Sequence, residues 1–64
     1  MFTLFATNHF ETVKFEESYL EWKLAEQMFY TAVKCVDCKE AVIMDATTGE
    51  ILLEYDKNTI TDYR

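Results

Sequence analysis

The chain has 64 residues, which fits one domain near the lower size at which a hydrophobic core offsets chain entropy without a staple. Half of the residues are apolar and ten are aromatic, a composition that excludes an intrinsically disordered chain. Twelve carboxylates against six basic side chains give a formal charge of −6; this disfavours direct contact with nucleic acid or anionic lipid and directs any charged partner toward basic surfaces. No eighteen-residue apolar run, cationic leader or lipidation motif is present, so the expectation is a soluble cytoplasmic protein that is neither exported nor inserted in a membrane.

The first segment, Phe2 to Thr7, alternates as a strand does, with Phe2, Leu4 and Ala6 on one side and Thr3, Phe5 and Thr7 on the other. Both sides carry an apolar group. Asn8 and His9 mark a break, because Asn tolerates turn conformations. Phe10 to Phe15 alternates again, as a second short strand or an extended lead-in that brings Phe15 against the next element.

That element is the long one. At about 100° per residue, Leu20, Trp22, Leu24, Ala25, Met28, Phe29, Ala32 and Val33 fall on one broad arc, so Ser18 to Cys35 reads as an amphipathic helix suited to lying on a sheet. Ser18 and Glu21 have the spacing of a capping box. Glu16, Glu17 and Glu21 lie toward the positive end of the helix dipole, and Lys34 and Lys39 toward the negative end.

After a connection from Val36 to Glu40, the segments Ala41–Ala46 and Glu50–Tyr55 flank Thr47, Thr48 and Gly49, the only glycine in the chain. A three-residue hairpin loop with glycine in the left-handed conformation fits this pattern. Pairing Ala46 with Glu50 then sets Ala41, Ile43, Asp45, Ile51, Leu53 and Tyr55 under the helix. The outer face receives Val42, Met44 and Leu52 beside Glu50 and Glu54, partly apolar and partly acidic. Residues 57–64 either add a short edge strand or fray. The expected architecture is a single α+β domain over residues 1–64, one long helix packed across a small antiparallel sheet in β(β)αββ order.

Few residues invite chemistry. Cys35 and Cys38 have Cys-x-x-Cys spacing, but they follow a helix, whose negative end hinders thiolate formation. As zinc ligands they supply half of a closed site, and His9 is the only imidazole available to extend it. The ordinary reading is Cys35 as a small core residue, Cys38 as a loop thiol and His9 as a solvated turn residue. No nucleophile stands in a recognisable setting beside His9, so no catalytic residue and no cofactor are assigned. Tyr19 and Tyr30 fall together toward the polar side of the helix, where tyrosine serves interfaces well.

The reading these residues support is a small, acidic, non-enzymatic protein-interaction module, homodimeric, that occupies a surface of another macromolecule. Its candidate interface residues are Val42, Met44, Leu52, Glu50, Glu54, Tyr19 and Tyr30, and its partner is another protein with a basic surface. One alternative is an acidic inhibitor of the phage or mobile-element type, a nucleic-acid mimic that blocks a basic site on a host protein. A second is a zinc-binding protein built on the Cys-x-x-Cys.

Overall fold

In the computed structural model, which describes residues 1–9, 13–35 and 38–64 with the side chains of 13 and 14 set aside, one helix lies across one face of a five-stranded antiparallel sheet. The elements in chain order are β1 (Phe2–Asn8), β2 (Val13–Tyr19), α1 (Trp22–Val33), β3 (Cys38–Asp45), β4 (Ile51–Asp56) and β5 (Thr59–Asp62). The strands are arranged β2-β1-β3-β4-β5. The fold is α+β. Residues 10–12, the first half of the expected second strand Phe10–Phe15, and residues 36–37 of the connection lie outside the described residues; the second half, Val13 to Phe15, opens β2. No described helix is long and apolar enough to cross a membrane.

The helix is shorter than its periodicity suggests. Ser18 and Tyr19 belong to β2, where Phe2 pairs with Tyr19, Thr3 with Ser18 and Leu4 with Glu17. Pairing with β1 satisfies the β1-facing backbone groups of β2 and brings Phe15 and Tyr19 against the core, an outcome a helical turn at Ser18 would forfeit. Ser18 therefore caps nothing; its hydroxyl lies 3.1 Å from that of Thr3. Glu21 occupies the N-cap in extended conformation without a side-chain cap bond, and no acidic residue enters the first turn or basic residue the last. Leu20, outside the helix, is 78 % exposed, and Leu24 is 47 % exposed.

The core forms between α1 and the middle strands. Ala25 and Phe29 of the helix are buried with Leu4 and Ala6 of β1, Ala41 and Ile43 of β3, and Leu53 of β4. Trp22, Met28, Ala32 and Val33 pack around them, and Phe2 meets Trp22 edge to face with ring centroids 5.5 Å apart. Burying a side chain of Leu, Ile or Phe size contributes about 1.5–3 kcal/mol, so this small set carries most of the stabilisation available to the chain.

The β3–β4 hairpin departs from the expected register near its bend. Asp45 N–H donates to Glu50 O at 2.8 Å, and Gly49 N–H to Asp45 O at 2.7 Å, so the loop holds four residues. Gly49 has φ of +79°, a conformation that a Cβ disfavours. A bulge follows: Ile43 pairs with Leu53, whereas Met44 pairs with Ile51. The extra residue restores the anticipated pairing of Ala41 with Tyr55. It also moves Ile51, expected beneath the helix, to a place opposite Met44 where it is 44 % exposed.

Candidate functional site

The helix covers one face of the sheet, and the registers show what lies on the other. Residues opposite one another share a face. Phe5 is flanked by Glu16 and Val42, and Val42 by Glu54, so one row across four strands reads Glu16, Phe5, Val42, Glu54. The next row holds Ser18, Thr3, Met44 and Ile51. On the other side of the first row, Thr7 opposes Glu40, Glu40 opposes Asp56, and Asp56 opposes Thr59. Leu52 joins this face from the bulge, and Tyr63 N–H donates to Leu52 O at 3.0 Å.

The face is an apolar strip of Phe5, Val42, Met44, Ile51 and Leu52 bordered by carboxylates. Phe5, Val42, Met44 and Leu52 are each half-buried. No lysine or arginine occurs among the register partners of these residues. Tyr63 donates its phenol hydrogen to Glu54 Oε1 at 2.9 Å; that bond, the nearby Glu54 charge and slight burial hold the phenol above its ordinary pKa.

The structure brings Val42, Met44, Leu52 and Glu54 together and separates the remaining expected interface residues from them. Glu50 lies opposite Asp45 at the hairpin end. Tyr19 sits in β2 opposite Phe2 and packs on the core; burial, with the charge of Glu17, raises its pKa. Tyr30 is exposed on α1, its ring edge-on to Phe29. The two tyrosines share no helix face because β2 takes Tyr19.

Glu16, with Glu17, is a candidate contact of the acidic-inhibitor reading from the sequence; Phe5, Glu40, Asp56 and Ile51 are not indicated there as surface candidates. Phe5 carried a usable signal, since it interrupts the polar side of an otherwise alternating strand. The others depend on pairings between segments distant in the chain.

His9, Cys35 and Cys38 line one cleft of about 650 Å³ at the end of the sheet, together with Lys34, Lys39, Tyr55 and Lys57. The cysteines exchange their expected places. Cys35 is exposed just beyond the helix, and Cys38, at the start of β3, is buried with its Sγ 3.6 Å from Glu40 O. The helix ends at Val33, and Cys35 N–H turns back to Ala32 O; β3 then carries Cys38 inward. Among the described residues no group of three His, Cys, Asp or Glu side chains is arranged to hold a metal ion. A smaller apolar cavity of about 240 Å³ lies between Phe15 and the Met28–Cys35 side of the helix.

No family model matches the chain, and no curated protein or solved structure matches it.

Proposed function

We infer that this protein is a non-enzymatic interaction module whose open sheet face occupies a surface of another protein. The observation that carries this reading is the make-up of that face: Phe5, Val42, Met44 and Leu52 form its middle, Glu16 and Glu54 flank them, and Glu40 and Asp56 close one end, without a cationic register partner. An apolar centre inside a charged rim is the arrangement of protein interfaces, where the centre is desolvated and the rim stays near water. Carboxylates of one sign steer approach and reject partners of the same sign. The matching surface presents apolar side chains ringed by lysine and arginine.

An inhibitor that blocks a basic site on a host protein is a narrower version of the same reading. It is favoured by the corner where Glu40 stands opposite Asp56 and Glu54 lies two residues further along β4. Like charges directly opposite one another destabilise a sheet; Lys34, Lys39 and Lys57 line the same cleft as this pair, and a cationic partner would add to the compensation they give.

A photo-crosslinking side chain placed at Val42, or at exposed Gln27 on the helix as a control, tests the assignment in extracts of the source cells. The expected result is a discrete adduct from Val42 that Gln27 does not give, weakened by Glu16→Lys with Glu54→Lys and by salt near 1 M, where the screening length falls to about 3 Å. Identical adducts from both positions, or adducts indifferent to charge reversal and salt, would overturn it.

A further inference from the structure

We propose that two copies of the chain associate about a two-fold axis through the outer edge of β5, joining their sheets into one of ten strands. This goes beyond the role of the open face and does not depend on what that face binds.

The backbone directions at β5 follow from its hairpin. Lys57 and Asn58 both have positive φ, 52° and 65°, the signature of a two-residue type I′ turn. Such a turn makes Asp56 and Thr59 a hydrogen-bonded pair, and hydrogen-bonded and non-bonded pairs then alternate. Glu54 with Thr61 and Leu52 with Tyr63 continue the bonded set, in agreement with the Tyr63 N–H to Leu52 O bond of 3.0 Å. The backbone N–H and C=O of Ile60 and Asp62 therefore point away from β4, along the free edge.

The two sheet edges are not equivalent. Edge strands normally discourage pairing with bulges, prolines or charges. At the opposite edge, β2 carries a register break beside Ala6 and Thr7 and exposes Glu16 and Glu17. The β4–β5 pairing runs without a bulge, and β5 itself, Thr-Ile-Thr-Asp, contains no proline or lysine and exposes Ile60 by 41 %.

Charge selects a second copy as the occupant. The chain is acidic overall, and the open face would set carboxylate against carboxylate if two copies met there. β5 itself carries one carboxylate, Asp62, and the turn before it carries Lys57; the guanidinium of Arg64 is turned away onto Trp22. With Ile60 on the two-fold axis, it meets its own twin, Thr59 meets Thr61, and Asp62 meets Asn58 of the second copy with Lys57 one residue further. Each cross-strand pair is neutral or complementary. The contact is isologous, so it closes at two copies.

A four-residue strand pair is a small interface, so the dimer belongs to the weak, concentration-dependent class. Sedimentation of the full chain up to about 1 mM, the concentration at which even a Kd of that order half-populates association, should show a monomer–dimer equilibrium. Ile60→Lys places two cations on the axis, and Ile60→Pro removes an N–H that points away from β4; both should remain monomeric throughout that range. Hydrogen exchange at the Ile60 and Asp62 amides of the wild-type chain should slow as concentration rises. A wild-type chain that stays monomeric, or a dimer that persists in Ile60→Lys with those two amides unprotected, would overturn the proposal. Should Ile60→Pro fail to fold, Ile60→Lys and the exchange measurement decide.

Discussion

The guanidinium carbon of Arg64 lies 4.1 Å from the centre of the Trp22 indole ring, so the last residue of the chain rests on the first residue of the helix. The same ring receives Phe2 edge-on from the other end of the chain. Both termini are thus held at one point, and the tail after β5 is fixed on its opposite side by Tyr63.

A cation over an indole at an exposed site contributes about 0.5–1 kcal/mol. Arg64→Ala is therefore expected to lower unfolding free energy by about that amount in urea titration followed by Trp22 fluorescence. Arg64→Lys should retain part of it. An unchanged midpoint for Arg64→Ala would mean that the stacking is not populated in solution.

Glu21 holds the N-cap in extended conformation, φ −110° and ψ 137°, without a side-chain bond to the first turn. A serine there can accept from the first-turn N–H groups, so Glu21→Ser should stabilise the protein by about 1 kcal/mol. Ser18→Ala should leave helix content unchanged in circular dichroism and cost about 1 kcal/mol through the lost Thr3 contact. A fall in helicity in Ser18→Ala would restore the longer helix.

Phe29 is fully buried between α1 and the sheet, whereas Leu24, five residues earlier, is 47 % exposed. Phe29→Ala should cost about 3–5 kcal/mol, enough to unfold a chain of this size. Leu24→Ala should fall within about 0.5 kcal/mol of the wild type. Thermal melts of the two variants distinguish this helix rotation from one that buries Leu24.

The Tyr63 phenol is raised above its ordinary pKa of about 10, chiefly by the bond it donates to Glu54. The folded state thus keeps the proton longer than the unfolded one. The resulting stabilisation is fully present below about pH 10 and is lost as pH climbs through the folded-state value. Tyr63→Phe should flatten the decline in stability across that alkaline window and remove one late-titrating phenol from the absorbance change near 295 nm. Wild type and variant with identical alkaline profiles would show the bond to be absent.

Much of this arrangement is legible in the residues. The alternation of Phe2, Leu4 and Ala6, the spacing of Ala25 and Phe29, and the inward set Ala41, Ile43, Leu53 and Tyr55 all point to a helix on a sheet. So does the outward placing of Val42, Met44 and Leu52. Local pattern misleads where two periods overlap. Ser18 and Tyr19 fit both the start of the expected helix, as cap and polar-side residue, and the strand alternation begun at Phe15, and pairing with β1 decides for the strand. It misleads again where one residue of slack is free: the bulge at Ile51 and Leu52 lets a four-residue loop and the anticipated pairing further along coexist. Glu54 and Glu16 are legible as acidic contacts, but their arrangement is not: Glu16 reaches Phe5 through β1–β2 pairing and Glu40 reaches Asp56 through β3–β4, relations set by the assembled sheet rather than by neighbours in the chain.

The placing of β1 between β2 and β3 has a consequence for synthesis. Ala6 pairs with Ala41, so the inner side of β1 has no partner until synthesis has passed the helix and reached β3. A nascent chain that ends after α1 holds a hairpin with an open flank, and such flanks are templates for pairing with a neighbouring chain. Ribosomes working close together on one message would bring those flanks within reach of each other, so its yield should depend on how densely the message is translated.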